Sequence, residues 1–165
     1  KMVKLLIAPR DIAQAPIWKK ELADAGIEAF LRSDFKKGTS EYRLCLLDTL
    51  GELARLYALG TTAFIGGSLD PHVGGHNPIE ALHWDVPVLM GPHIRNFADL
   101  VEELRLVQGI GLVHSPEEVE RRLRELIADP AAREGMIRAG RTVLEKGKGA
   151  LDRSMDLLKE MALGE

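Results

Sequence analysis

Short runs of apolar residues alternate along the whole chain with longer stretches in which apolar residues recur at helical spacing. The apolar runs lack strict apolar–polar alternation, which is typical of strands buried on both faces of a parallel sheet. The amphipathic stretches between them predict the crossover helices that such a sheet requires. We therefore predict an α/β fold in which a mostly parallel sheet is covered by helices on both faces.

The strand-like runs are short, and each is followed by a turn or a polar loop. They are Val3–Ala8, Ile27–Leu31, Arg43–Leu47, Thr61–Ile65, Val86–Met90 and Gly111–His114, with a polar loop predicted at Asp34–Ser40. Helices are predicted at Ile12–Ala25, from about Asp48 to Ala58, and at Pro78–Trp84, Phe97–Leu106, Pro116–Ala128 and Ala131–Leu163. The predicted N-caps are Asp48 or Thr49 for the second of these helices, Asn96 for the fourth and Ser115 for the fifth. A break near Gly147–Gly149 would leave residues 148–163 as a separate helical segment of one domain spanning residues 1–165.

In a sheet of this kind a ligand binds beyond the carboxyl ends of the strands. That rule selects the loops at Pro9–Arg10, Asp48–Glu52, Gly66–Glu80 and Gly91–Asn96.

The loop from Gly66 to Glu80 carries two glycine pairs before a short helix. Glycine lets the backbone approach a ligand closely, and the helix N-terminus favours phosphate or carboxylate. Glu80, one turn inside that helix, can accept two hydroxyl protons from a ribose. The alternative is a mobile surface loop whose glycines serve only turns. The candidate ligand contacts here are Gly67, Ser68, Gly75, His76, Asn77, Pro78, Ile79 and Glu80.

Two shorter loops carry polar groups of the same kind. Arg10 follows Pro9, which fixes the backbone, so its guanidinium is aimed at an anion from a rigid edge, or else forms a surface ion pair. In the Asp48–Glu52 turn, Glu52 and the backbone near Gly51 are candidate ligand contacts, and simple helix capping is the alternative.

Composition narrows the classes of function. The chain has 165 residues, 45% of them hydrophobic, with 22 basic and 25 acidic residues and a net charge of −3, so no basic block indicates a nucleic-acid partner. Cys45 is the single cysteine and lies in an apolar run, which predicts a buried thiol. No apolar stretch is long enough to cross a bilayer. The chain opens directly on a strand, and we expect it to be a piece of a longer protein.

Motifs of other enzyme classes are missing from the sequence. There is no P-loop, no GxGxxG after the first strand, no Asp-x-Asp pair and no GxSxG elbow. His72 and His76 stand four residues apart, but Gly74 and Gly75 between them argue against a helix that would align them on a metal. We predict no metal site and no cofactor.

Taken in order, the motifs resemble the 3-deoxy-D-manno-octulosonic acid (Kdo) transferases of lipopolysaccharide synthesis. The matching segments are Ala-Pro-Arg at 8–10, Asp-Thr-Leu-Gly-Glu-Leu at 48–53, Leu-Tyr-Ala-Leu at 56–59, Phe-Ile-Gly-Gly-Ser-Leu at 64–69, Gly-Gly-His-Asn-Pro-Ile-Glu at 74–80 and Pro-Val-Leu-Met-Gly-Pro-His at 87–93. The resemblance implies a GT-B glycosyltransferase, built from two Rossmann-like domains, of which this chain resembles the C-terminal, donor-binding one.

The resemblance also implies the ligands and the setting. The donor would be CMP-Kdo, and the residues that match the family's CMP contacts are Pro9, Arg10, Leu50, Gly51, Glu52, Asn77, Pro78, Ile79 and Glu80. The general base, the lipid A precursor and any membrane association would belong to an N-terminal domain, so no catalytic residue is expected here and transfer by this chain alone should be undetectable. The full-length protein is expected at the cytoplasmic side of the bacterial inner membrane, and this fragment is expected to be soluble.

The chain departs from the family pattern at three places. Asp11 replaces a usual histidine, Leu47 replaces a frequent glycine, and the segment at 70–73 is one residue longer. Asp11 could neutralise part of the pull of Arg10 on phosphate. The alternatives are a GT-B domain for another nucleotide sugar, such as a UDP-sugar transferase or 2-epimerase, a non-catalytic interaction module, and a Rossmann oxidoreductase, which the missing GxGxxG disfavours.

Overall fold

The computed structural model describes residues 3–35, 42–94 and 96–163, with side chains as far as Gly147. It divides into two compact units, Lys1–Leu56 and Tyr57–Glu165. Each unit contains a three-stranded sheet, and every strand pairing in these sheets is parallel, as predicted. That the whole chain forms one nucleotide-sugar-binding domain stays a prediction. Most of the predicted polar loop Asp34–Ser40 lies outside the described residues.

In the N-terminal unit the strands are β1 (Leu5–Ile7), β2 (Phe30–Leu31) and β3 (Leu44–Leu46), in the order β1-β3-β2. Helix α1 (Gln14–Asp24) packs on this sheet through buried Ala15, and a one-turn 3-10 helix follows β2 at Arg32–Asp34. The short helix α2 (Leu53–Leu56) follows β3. The core consists of the buried residues Ala15, Ala29, Leu44 and Leu46, with Ile7, Trp18, Leu22 and Leu31 packed against them.

The central strand β3 is the best protected part of this unit. All its residues are buried, and Cys45 is 1% exposed, as predicted for a thiol in an apolar run. Burial raises the pKa of this thiol, because the apolar surroundings disfavour the charged thiolate.

In the C-terminal unit a 3-10 turn at Tyr57–Leu59 leads into β4 (Ala63–Ile65), which is followed by α3 (Ile79–His83) and β5 (Val88–Met90). The chain then forms α4 (Ala98–Leu106), β6 (Gly111–Leu112), α5 (Pro116–Ala128) and α6 (Pro130–Leu163). The strand order is β4-β5-β6, so β5 is central. One face of this sheet packs on a core that includes Val88, Met90 and Leu104, and a second cluster gathers Leu89, Leu126 and Met136.

Three helices end in the same hydrogen-bonded turn. After α1 the N–H of Gly26 donates to Ala23 O and that of Ile27 to Leu22 O, with Gly26 at a φ of 76°. This is a Schellman motif, which needs one residue in the left-handed region. Ile27 is therefore part of the helix end, which is why β2 begins at Phe30 rather than at Ile27 as predicted.

The other two motifs place non-glycine residues in the left-handed position. Asp85 ends α3 at a φ of 57°, and Gln108 ends α4 at a φ of 60°. Asp85 is held there by Arg141 of α6, whose Nε donates to Oδ1 at 2.7 Å while Nη2 donates to Oδ2. The side-chain bond from Arg141 holds the pKa of Asp85 below its ordinary value.

The observed helix boundaries agree best with the prediction where a side chain forms a hydrogen bond at the N-cap. Helix α5 spans Pro116–Ala128 as predicted, and Ser115 accepts from the N–H of Glu118 at 3.2 Å. The cap predicted for α4 was wrong, because Phe97 and not Asn96 occupies the N-cap position. The break predicted near Gly147–Gly149 was also wrong, because α6 continues to Leu163. Glycine weakens a helix but, unlike proline, keeps its N–H and adds no clash, so a glycine pair need not end one.

Candidate functional site

Two of the predicted loops leave the N-terminal sheet side by side. Strands β1 and β3 are parallel neighbours with Ile7 opposite Leu46, so the segments Pro9–Arg10 and Asp48–Glu52 both begin at the carboxyl edge of the sheet. Pro9 is buried and Arg10 is exposed, which leaves the guanidinium at the surface of a fixed backbone. The structure therefore gathers at one edge the residues that were predicted to share it.

Asp11, which replaces the family's usual histidine, is partly engaged in starting α1. Its Oδ1 accepts from the N–H of Ala13 at 3.0 Å, and its carbonyl oxygen accepts from the N–H of Gln14 at 3.0 Å. In the described part of the chain this carboxylate bonds the start of α1 and not the guanidinium of Arg10.

Asp48 does not cap the helix that follows it. Its Oδ1 accepts from the N–H of Ser33 at 2.8 Å and its Oδ2 from the Ser33 hydroxyl, while α2 begins only at Leu53. Partial burial opposes the charge of Asp48, but the bonds from Ser33 outweigh it and hold the pKa of the carboxyl below its ordinary value. Asp48 thus ties the segment after β2 to the segment after β3. The prediction that Asp48 caps the following helix was wrong.

Both carboxylate oxygens of Glu52 have partners in the same unit. Arg32 Nη2 donates to Oε1 at 2.9 Å, and the Thr49 hydroxyl donates to Oε2 at 2.5 Å. Arg32 was missed at the sequence level, although a basic residue directly after a strand at the ligand edge was a usable signal. The arrangement fixes the turn at both ends and leaves Leu50 and Gly51 at its tip.

That tip is the most exposed part of the turn. Leu50 is 80% exposed, and Gly51 has a φ of 78° with open space where a Cβ would stand. Glycine is favoured here by the backbone conformation rather than by a close neighbour. Leu50 and Gly51 are therefore placed to meet a molecule from outside, but their contact with a ligand stays a prediction.

In the C-terminal unit the glycine-rich loop after β4 is an ordered series of turns. The N–H of Asp70 donates to Gly67 O at 3.1 Å and that of Gly74 to Asp70 O at 2.9 Å. Asp70 Oδ1 accepts from the N–H of His72 at 2.7 Å, and this bond holds the pKa of the Asp70 carboxyl below its ordinary value. Gly67 has a φ of 78°, and a Cβ there would stand 2.5 Å from Gly74 O. The predicted alternative of glycines that serve turns describes Gly67 well.

This loop is joined to the loop after β5. Strands β4 and β5 are parallel neighbours with Ile65 opposite Met90, and the N–H of Gly75 donates to His93 O at 2.7 Å. Gly75 also forms an isolated parallel bridge with Ile94. The structure thus brings together the two predicted loops of this unit, as the carboxyl-edge rule requires.

The start of α3 carries the remaining predicted residues. Asn77 Oδ1 accepts from the N–H of Ile79 at 2.9 Å, Pro78 is buried at the N-cap position, and Glu80 is exposed in the first turn. Burial raises the pKa of Tyr57, and the negative charge of Glu80 adds to that effect. His76 is exposed beside Asn77. A contact of these residues with a ligand stays a prediction.

Across the described ranges, no three His, Cys, Asp or Glu side chains gather in a way that could hold a metal ion. No helix in the described part of the chain is both long and apolar enough to cross a membrane.

Several curated 3-deoxy-D-manno-octulosonic acid (Kdo) transferases are similar in sequence to the chain over most of its length. The Kdo transferase of Haemophilus influenzae is 36% identical over 156 residues, which are 94% of this chain and 36% of that protein. The Chlamydia muridarum enzyme is 31% identical over 156 residues, with the same shares, and the Aquifex aeolicus enzyme is 35% identical over 127 residues, 76% of this chain and 34% of that protein. The chain thus spans about a third of the length of the relatives it matches.

No protein-family profile matches the chain. A solved structure does, with a TM-score of 0.80 and 26% identity over 86% of this chain and 73% of that one. It is the crystal structure of the C-terminal CMP-Kdo binding domain of WaaA from Acinetobacter baumannii. The likeness confirms the Rossmann-like α/β fold and, together with the curated relatives, shows that the chain belongs to the Kdo transferase family.

Proposed function

We propose that the chain is the donor-binding domain of a glycosyltransferase that moves Kdo from CMP-Kdo to a lipid A precursor in lipopolysaccharide synthesis. The observation that carries this proposal is the likeness in fold and sequence to a CMP-Kdo binding domain over 86% of the chain. The donor contacts proposed from the sequence stand in the segments that follow parallel strands, and the proposal is supported by the rule that ligands bind beyond the carboxyl ends of such strands.

The N-terminal unit offers groups that suit the anionic part of a nucleotide sugar. Arg10 offers a permanently charged fork that suits phosphate, and its exposure leaves its donors accessible. The turn held by Glu52 presents Leu50 and Gly51, whose backbone groups can bond the nucleotide without a further charge. Pro9 contributes a fixed backbone rather than a polar group.

The C-terminal unit, taken by itself, offers groups that suit a nucleoside. Glu80 is an exposed carboxylate in the first turn of α3, and a carboxylate is well suited to accept from both hydroxyls of a ribose. Asn77 fixes the entry into α3 through its bond to the N–H of Ile79, so the position of Glu80 is set by the backbone before any ligand arrives.

Transfer requires a base that this chain is not expected to supply. In an inverting displacement the base takes the proton of the acceptor hydroxyl, the hydroxyl oxygen forms the new bond to Kdo, and CMP leaves with the electron pair of the broken bond. The residues of this chain would position the donor and stabilise the leaving phosphate. The base, the lipid A precursor and the contact with the cytoplasmic face of the inner membrane are assigned to an N-terminal domain, and the isolated chain is expected to be soluble and inactive.

A titration of the 165-residue chain with CMP and with UDP tests the proposal. We expect CMP binding, a matching rise in melting temperature at millimolar CMP, and no comparable effect of UDP, because a ligand that prefers the folded state stabilises it. Preference for UDP would indicate another nucleotide-sugar enzyme, and no response to either nucleotide would indicate an interaction module. Transfer from CMP-Kdo by the chain alone should be undetectable.

A further inference from the structure

Ser68 is the one polar or charged side chain that the fold buries among the described residues, at 0% exposure. Its hydroxyl is used on both sides: Oγ donates to the carbonyl oxygen of Ile65 at 2.6 Å and accepts from the N–H of Gly91 at 2.7 Å. Its only proton is used inside the unit, and its burial keeps the hydroxyl out of reach of a molecule in solvent. Ser68 therefore joins the end of β4 to the first residue after β5.

The backbone continues the connection outward from Ser68. Its carbonyl oxygen accepts from the N–H of His93 at 3.0 Å, and His93 O in turn accepts from the N–H of Gly75 at 2.7 Å. Gly75 stands only two residues before Asn77, which bonds the start of α3. Backbone hydrogen bonds thus run from Ser68 through His93 to Gly75, the first residue of the segment that carries Glu80.

The backbone around Ser68 is tightly packed against the two neighbouring loops. A Cβ at Gly91 would collide with the carbonyl group of Ser68, and a Cβ at Gly75 would stand 2.8 Å from Met90 Cε and 3.0 Å from Ser68 Cβ. Real Cβ atoms do not come this close to a carbonyl group, so glycine is needed at position 91. At position 75 a Cβ would require the end of the Met90 side chain to move and Ser68 to shift slightly. Ser68 is therefore packed directly against both Gly91 and Gly75, so a shift of Ser68 would move the two loops.

We propose that Ser68 is a positioning residue for the donor site, and that it acts through Gly91, His93 and Gly75 on the segment Gly75–Glu80 instead of contacting the donor. This rests on the donor-binding function proposed above. It gives Ser68 a role different from the ligand contact that the sequence suggested, because the hydroxyl faces two backbone groups inside the unit.

The test compares Ser68→Ala with Leu123→Ala in the 165-residue chain. Leu123 is half-buried against the separate cluster of Leu89, Leu126 and Met136, so its truncation lowers stability without touching the loops. Both variants are titrated with CMP at a temperature where circular dichroism shows them folded. Amide hydrogen exchange is measured without ligand over Gly75–Glu80.

We expect the CMP dissociation constant of Ser68→Ala to rise about fivefold, because the Gly91 N–H and the Ile65 carbonyl lose their partner. Exchange over Gly75–Glu80 should become faster in this variant and stay unchanged in Leu123→Ala, whose affinity should also be unchanged. Unchanged exchange over Gly75–Glu80, or an equal loss of affinity in both variants, would overturn the proposal. Absence of CMP binding by the unchanged chain would refute the donor-binding function instead, and the exchange data would still decide whether Ser68 holds the loop.

Discussion

Arg32 donates from Nη2 to Oε1 of Glu52 at 2.9 Å, which links the residue after β2 to the turn after β3. Together with the Thr49 hydroxyl on Oε2, this bond holds the base of the turn whose tip is Leu50 and Gly51. The side chains of Arg32 and Glu52 are about one third exposed, so their attraction is screened by water and contributes little to overall stability. We interpret the pair as fixing the geometry of the turn.

Replacement of Arg32 by alanine should weaken CMP binding by about threefold to tenfold, because the turn loses one of its two side-chain bonds. Isothermal titration calorimetry measures the change. Lys19→Ala is the matched control, since it removes a lysine that pairs with Asp34 at 3.0 Å in the same unit and should leave affinity unchanged. Equal affinity of Arg32→Ala and the parent chain would remove the turn from the proposed site.

Replacement of Glu80 by alanine should weaken CMP binding by about tenfold, or roughly 1.4 kcal/mol, through the loss of ribose contacts. The parent chain should bind 2′-deoxy-CMP less tightly than CMP, whereas Glu80→Ala should bind the two nucleotides alike. Glu103→Ala on α4 removes the same charge from an exposed position and serves as the control. Retained discrimination between the two nucleotides in Glu80→Ala would show that another group reads the ribose.

Alanine substitutions at the neighbouring residues Gly66 and Gly67, after β4, should differ in their effect on stability. Gly67→Ala should lower the free energy of unfolding by about 1–2 kcal/mol from its positive φ alone, and by more from the contact with Gly74 O. Gly66→Ala meets open space and an ordinary backbone conformation, so it should stay within about 0.5 kcal/mol of the parent chain. Urea unfolding measures both variants, and similar midpoints would contradict this account of the loop.

The Asp85–Arg141 pair predicts a pH-dependent contribution to stability. The folded-state pKa of Asp85 lies below the ordinary value of 3.8, so the charged form is favoured by folding. The contribution should be complete above the unfolded-state pKa, near 3.8, and should disappear as the pH falls through the lower folded-state pKa. Asp85→Asn tolerates the left-handed backbone but removes the charge, which isolates this effect.

At neutral pH Asp85→Asn should melt less than about 3 °C below the parent chain, because the pair is largely exposed. The difference should shrink on acidification and should vanish in the background of Arg141→Ala. A difference that persists unchanged down to the most acidic pH at which both chains fold would show that the carboxylate charge is not its source.

The order of elements could be predicted from apolar patterning, because β3 and β5 are uninterrupted apolar runs and the longer helices α4 and α5 bury only one face. The bounds of α5 were predictable for a local reason: Ser115 caps it and Pro116 fits its first turn. The end of α4 at Leu106 was also predicted. The left-handed turns that follow α3 and α4 were not, because Asp85 and Gln108 take a conformation that their residue types seldom adopt.

Within the candidate site, sequence patterns located the loops but not the roles of single residues. Ser68 stands in a polar, glycine-rich loop, and only the fold shows that its hydroxyl is buried on two backbone partners. Arg32 stands at the end of a two-residue strand, and its bond to Glu52 depends on β2 and β3 being neighbours. Such contacts arise from pairings across the sheet, which local patterns do not specify.

Cys45 gives the central strand of the N-terminal unit a built-in chemical reporter. The chain has one cysteine, its side chain is 1% exposed, and its neighbours in the strand are buried on the same sheet. A thiol-reactive reagent can reach it only when that strand opens, so the rate of modification measures the opening of this unit alone. A nucleotide that binds the loops after β1 and β3 would slow that reaction, and its effect could be followed without introducing any label.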